Sequence, residues 1–127
     1  MEILKIFIGK EVVRARMLKE KTPNICRIIK EQCPIQGRLC HSKICDNEIF
    51  FQVPFFIDYE ENSLLPNSGD IGFWNVKQEI CIWYDNMVPL GRISIFAKVI
   101  SNFEGLRKEG KRTWVKQGVR IRLDVEE

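Results

Sequence analysis

The sequence predicts a mainly β protein, a closed antiparallel barrel capped by two short helices, and three observations carry that expectation. Over most of the chain apolar residues recur at every second position, the period of strands with one buried face. Helix signals occur in only two places, after Thr22-Pro23 and after Ser101. A chain of 127 residues with seven or eight strands must also dispose of its sheet edges, and closing the sheet does so completely. The helices then plug the open ends. A two-sheet sandwich is the competing architecture. No linker, repeat or low-complexity stretch divides residues 1–127, so a single domain is expected, large enough to bury a core without disulfides or a structural metal.

The elements follow in order. Leu4, Ile6 and Ile8, then Val13, Ala15 and Met17, form the inward sets of a hairpin turning at Gly9-Lys10, where glycine can take the positive φ of a two-residue loop. Thr22-Pro23 reads as an N-cap followed by proline at the first helical position, with Ile25, Ile28, Ile29 and Cys33 at helical spacing and Pro34 as the stop. Strands resume from Ile35 to Val53, broken by Gly37 and Cys45-Asp46-Asn47, the best of them placing Ile49, Phe51 and Val53 on one face. Residues 57–69, with Asp58, Glu60, Glu61 and Asn62, read as a polar surface connection. Asp70 to Trp74 and Glu79 to Tyr84 are two further strands, and Ile93, Ile95, Ala97 and Val99 make the next inward set. Ser101-Asn102-Phe103-Glu104 has capping-box spacing and opens a helix of one or two turns that Gly110 should end. Trp114 to Val125 is the closing strand, with Val119, Ile121, Leu123 and Val125 facing in and Arg120, Arg122 and Asp124 facing out.

Several function classes are excluded early. No apolar run approaches the ~20 residues of a membrane helix, so no membrane partner is expected. Met1-Glu2 opens no basic leader, and the sequence reads as cytoplasmic. The five cysteines, Cys26, Cys33, Cys40, Cys45 and Cys81, are odd in number and lack C-x-x-C spacing. A metal site from Cys33, Cys40, His41 and Cys45 does not match a zinc knuckle, so they read as buried packing residues and no metal is expected. His41, the single histidine, neighbours Cys40; adjacent strand residues point to opposite faces, which makes a poor nucleophile and base pair. No Walker loop or G-x-G-x-x-G occurs, and no cofactor is expected.

Aromatic residues point to a site. Phe73, Trp74, Trp83 and Tyr84 fall on two paired strands, and Phe96, opposite in phase to Ile95 and Ala97, should face outward. Together these five would line a groove for an extended peptide or small ligand. The net charge of +3 divides into +6, −7 and +4 over residues 1–44, 45–91 and 92–127, which reads either as a bipolar surface with a cationic face or, more commonly, as complementary surfaces of one fold or nothing. Arg14, Arg16, Arg120 and Arg122 alternate outward on the first and last segments, a stripe of the kind that holds single-stranded nucleic acid. Solvated strand faces account for these arginines more simply, and the sequence pI of 8.6 argues against a nucleic-acid partner.

Gly69-Asp70-Ile71-Gly72-Phe73-Trp74, followed by Glu79-Ile80-Cys81-Ile82-Trp83-Tyr84, resembles the small cyclophilin-like family of archaea and bacteria. Glu48 to Pro54, Pro89-Leu90-Gly91-Arg92-Ile93, Ala97 to Ile100 and Glu104-Gly105-Leu106 extend the resemblance over nearly the whole chain. It implies a minimal cyclophilin fold. Prolyl isomerases of that class carry F-H-R and Q-G-G-D segments, and neither string occurs here. The resemblance therefore implies the fold, with a weak prolyl isomerase as the alternative, for which Arg92 is the candidate catalytic residue.

Overall fold

The computed structural model describes residues 2–45, 47–60, 66–86 and 92–126. Asp46, Glu61, Asn62 and Pro89-Leu90-Gly91, used above, lie outside the described residues. Among those described, eight strands and two helices follow in the order β1 (Ile3–Ile8), β2 (Glu11–Met17), α1 (Pro23–Gln32), β3 (Ile35–His41), β4 (Glu48–Gln52), β5 (Asp70–Trp74), β6 (Glu79–Trp83), β7 (Ser94–Ser101), α2 (Phe103–Val115) and β8 (Val119–Val125). The sheet closes in the order β1-β2-β7-β5-β6-β4-β3-β8, every pairing antiparallel. Closure rests on β1, which pairs with β2 on one side and β8 on the other.

The hairpin forms as its alternation dictates, with Leu4, Ile6, Ile8, Val13, Ala15 and Met17 all buried. Gly9 turns the chain at φ +56° and donates its N–H to the Arg120 carbonyl at 3.0 Å. Helix α1 lays Ile25, Cys26 and Ile29 on the core. Its N-terminus differs from the expectation: the Thr22 hydroxyl donates to the Leu18 carbonyl at 3.1 Å and does not cap the helix. The carboxylate of Glu60 does so instead, accepting the N–H groups of Asn24 at 3.2 Å and Ile25 at 2.5 Å. A carboxylate there satisfies two orphan donors and meets the positive end of the helix dipole. Glu60 is itself fixed to β7, exchanging backbone bonds with the Ser94 hydroxyl at 2.9 and 2.7 Å. The polar connection is thus partly structural, and Ile57 within it is buried.

Strand β7 departs from strict alternation. Against β5 its register shifts between the Ile71↔Ala97 and Gly72↔Ile95 pairs, leaving Phe96 as an extra residue. At such a bulge two successive side chains turn to the same face. Phe96 and Ala97 consequently both enter the core, and Phe96 is fully buried instead of facing outward.

Helix α2 is longer than expected. Asn102, at φ 60°, is its N-cap, its Oδ1 accepting the Gly105 N–H at 3.1 Å. Gly110 lies inside the helix because the Tyr84 ring packs against it; an added Cβ would land on that ring. The helix therefore continues through Trp114, and β8 begins only at Val119. Gly110→Ala tests this packing. In an open helix the change would stabilise by about 0.5–1 kcal/mol, whereas overpacking against Tyr84 costs about 1–3 kcal/mol. Urea unfolding of the variant should show net destabilisation.

Candidate functional site

The wall formed by β4, β6 and β5 carries an apolar cluster on each side. Its inner residues, Ile49, Phe51, Ile71, Phe73, Ile80 and Ile82, belong to the barrel core. Its outer face carries a second cluster of Cys81, Trp83 and Ile93, with Phe50 and Trp74 packed against it. The register explains the grouping: Cys81 lies between Phe50 and Gly72, and Glu79 lies between Gln52 and Trp74. Gly72 makes the cluster possible, since a Cβ there would run into the side chains of Ile93 and Trp83.

A cavity of about 410 Å³ opens on this face. Phe50, Trp74 and Ile93 give it an apolar lining, the 41–45 segment and Lys77 form its rim, and Glu48 and Glu79 are its acids. Both carboxylates are more than nine-tenths buried, at 7% and 6% exposure. Burial pushes the Glu48 carboxyl above its ordinary value, opposed by hydrogen bonds from the Cys81 and Cys45 thiols. Burial likewise raises Glu79, the neighbouring Glu48 charge adds to it, and Lys77 opposes. The Cys81 thiol, wholly buried beside Glu48, is raised well above the usual thiol range by desolvation first and that carboxylate second. A volume of this size with apolar walls and a few polar groups is that of a small-ligand site.

Of the five aromatic residues expected in a groove, Trp74 lines this cavity, half-buried. Trp83 lies in the same outer cluster but is sealed, with its indole Nε1 lacking a partner among the described residues. Phe73, Tyr84 and Phe96 point into the barrel. Phe73 and Tyr84 do so because they sit in phase with Ile71, Ile80 and Ile82, and Phe96 because of the bulge. Phe73 stacks on Phe55 at 6.4 Å. The Tyr84 hydroxyl meets His41 Nε2 at 2.6 Å, while His41 Nδ1–H donates to the Ser42 carbonyl at 2.7 Å. The carbonyl can only accept, so Nδ1 carries a proton. Cys40 is exposed where His41 is buried, so the two face apart. Arg92 is exposed next to Ile93, its guanidinium 5.2 Å from the Tyr59 ring centre. Among the described residues no three His, Cys, Asp or Glu side chains are placed to hold a metal.

Sequence reasoning passed over Glu48, Phe50 and Glu79, which alternation assigns to the outer, wet face. The unbroken apolar run Ile80 to Tyr84 was the available signal, since a strand buried on both faces loses its alternation.

A closed eight-stranded antiparallel barrel with two helices is the architecture of a cyclophilin-type domain. The chain belongs to the cyclophilin-like family, whose model matches residues 2–117. The solved structures that share the fold include the following three. The archaeal protein AF2241 of Archaeoglobus fulgidus, described as hypothetical, has a TM-score of 0.74 at 21% identity, over 97% of this chain and 93% of that one. A cyclophilin-type peptidyl-prolyl cis-trans isomerase of Cryptosporidium parvum, solved in the presence of the dipeptide Ala-Pro, has a TM-score of 0.72 at 15% identity, over 98% and 99%. McbB, solved in complex with tryptophan, has a TM-score of 0.81 at 13% identity, over 95% of this chain but only 44% of that one. At these identities the likeness is one of fold. A search of curated protein sequences finds no match. No helix among the described residues is long and apolar enough to cross a membrane.

Two predictions follow from the outer wall. Trp114 is 43% exposed, so the double variant Trp74→Phe/Trp114→Phe isolates Trp83. Its emission should be blue-shifted and insensitive to acrylamide, whereas Trp74 alone should be quenched. Trp83→Ala should cost about 3–5 kcal/mol, and Trp74→Ala should leave the fold intact. The second prediction concerns pH. A carboxyl raised on folding contributes stability that is full below its unfolded value, 4.5, and lost as pH rises through the folded one. Glu48→Gln removes that loss, so its urea midpoint relative to the parent should rise between pH 4.5 and 7.

Proposed function

We propose that this domain binds an extended peptide or small ligand in the hollow on its outer wall, and that it acts as a binding module. The observation that carries the reading is the cavity of about 410 Å³ with two buried carboxylates and three large apolar side chains. Such a site suits a ligand with one apolar group, against Phe50, Trp74 and Ile93, and one hydrogen-bond-donating or cationic group toward Glu48 and Glu79. Two proteins of the same fold were solved with amino-acid compounds, Ala-Pro and tryptophan, which supports ligands of that class. Arg92, the candidate for carbonyl polarisation, is exposed and does not line the hollow. The geometry therefore favours binding over prolyl isomerisation.

Amide-detected NMR titration with Ala-Pro and with N-acetyl-Ala-Pro-amide, which lacks the ammonium group, tests the reading. Shifts should centre on Phe50, Trp74 and Glu79, be larger for the free dipeptide, and vanish in folded Trp74→Ala. Shifts confined to another wall would overturn it. A proline-limited refolding assay separates the classes, because an isomerase lowers a barrier of about 20 kcal/mol catalytically, whereas a binder at substoichiometric amounts leaves the rate unchanged.

A further inference from the structure

The opposite wall of the barrel has a different character. In the order of the sheet β8 and β1 stand diametrically across from β5 and β6, so the strands that carry Lys5, Arg120 and Arg122 and the strands of the acidic middle of the chain form opposing walls. On the basic wall Arg38 of β3 is the direct cross-strand partner of Arg120 of β8. Like charges in that position repel. Arg122, two residues on, pairs with Gln36 on one side and Phe7 on the other, its guanidinium 4.4 Å from the Phe7 ring centre. Lys5, Arg14 and Arg16 continue the stripe across β1 and β2. Arg14 is paired with Glu126 at 2.9 Å, but no described carboxylate lies within ion-pair distance of Arg38, Arg120 or Arg122. These three surround a concavity of about 730 Å³ whose lining also includes Phe7, Gln36 and Gly37.

We propose that this wall binds single-stranded nucleic acid, with Arg38 and Arg120 on phosphates and the Phe7–Arg122 pair stacking a base. The proposal is independent of the ligand hollow on the other wall. Guanidinium groups match phosphate in a fork geometry and stack on flat rings, which a run of lysines would not do. A positive groove with an aromatic platform is the general device for holding a single strand without sequence preference. An acidic peptide would use the arginines but leave the stacking pair unused, and a membrane surface would not enter a concavity.

The test is fluorescence anisotropy of fluorescein-labelled 12-mers of oligouridylate and oligothymidylate against the full chain. Two phosphate contacts on a single strand give a slope of log K against log salt of about −1.4. Arg120→Glu should weaken binding about tenfold or more and flatten that slope by roughly one contact or more. Lys111→Glu makes the same charge change on exposed α2 and should alter affinity by less than about twofold at moderate salt, where distant charges are screened. Far-UV circular dichroism checks both folds, and the neutral Arg120→Gln, expected to weaken binding in the same direction, serves if Arg120→Glu does not fold. Absence of binding at about 50 mM salt, the low end of the usual range, would overturn the proposal. So would equal losses in the two charge reversals, or competition by oligoglutamate or anionic vesicles as effective as by unlabelled oligonucleotide.

Discussion

Every residue of β6, from Glu79 to Trp83, is buried, because the strand has the barrel core on one side and a second apolar cluster on the other. A strand dry on both faces needs partners along both edges for its backbone, and β4 and β5 supply them. It also needs a cover, which Phe50, Trp74 and Ile93 provide. Gly72 follows from that cover, since only a residue without a side chain lets Ile93 and Trp83 close over β5. The cavity is what the cover leaves unfilled. Its two glutamates are the groups that this burial places in an apolar setting, and both are pushed toward the protonated form for that reason.

Much of this was legible wherever one residue decided one contact. Alternation located the β1–β2 hairpin and the inward residues of β8, and the helical spacing after Pro23 located α1. The sequence fell short where a long-range partner overrode a local signal. Thr22 looked like a cap, yet Glu60, 35 positions from Ile25, holds the helix end. Gly110 looked like a stop, yet it is a notch for Tyr84. Phe96 looked outward because a bulge is invisible to a period-two count. The partial exposure of Trp74 and the sealing of Trp83 were readable from their neighbours, but the burial of Glu48 and Glu79 beside the hollow depends on a cover over the outer face that alternation does not reveal.

The charge pattern shows the converse, a sequence feature that acquires meaning only from topology. Net charges of +6, −7 and +4 along the chain say nothing about surfaces until the order of the strands is known. Because β8 closes against β1, the two basic ends fall side by side. The strands β4, β5 and β6 of the acidic middle then stand across the barrel from them. Closure thus turns a three-block sequence into a two-faced molecule.

The way the interior is filled leaves a ligand only the outer walls. An eight-stranded barrel is just wide enough for side chains to fill it, and here Phe51, Phe73, Phe96 and Tyr84 occupy the core together with the aliphatic residues. Turning Phe96 inward through the β7 bulge removes an aromatic group from the surface and adds its volume to the core. The ends are taken as well: α2 packs over β2 and β3, and α1 sets Ile25 and Ile29 into the core. A ligand therefore has no room inside the barrel. Of the five aromatic residues that looked like a site, Phe73, Tyr84 and Phe96 close the interior, whereas the accessible hollow is shaped by the half-buried Trp74, with Phe50 and Ile93, and by two carboxylates on the outer face.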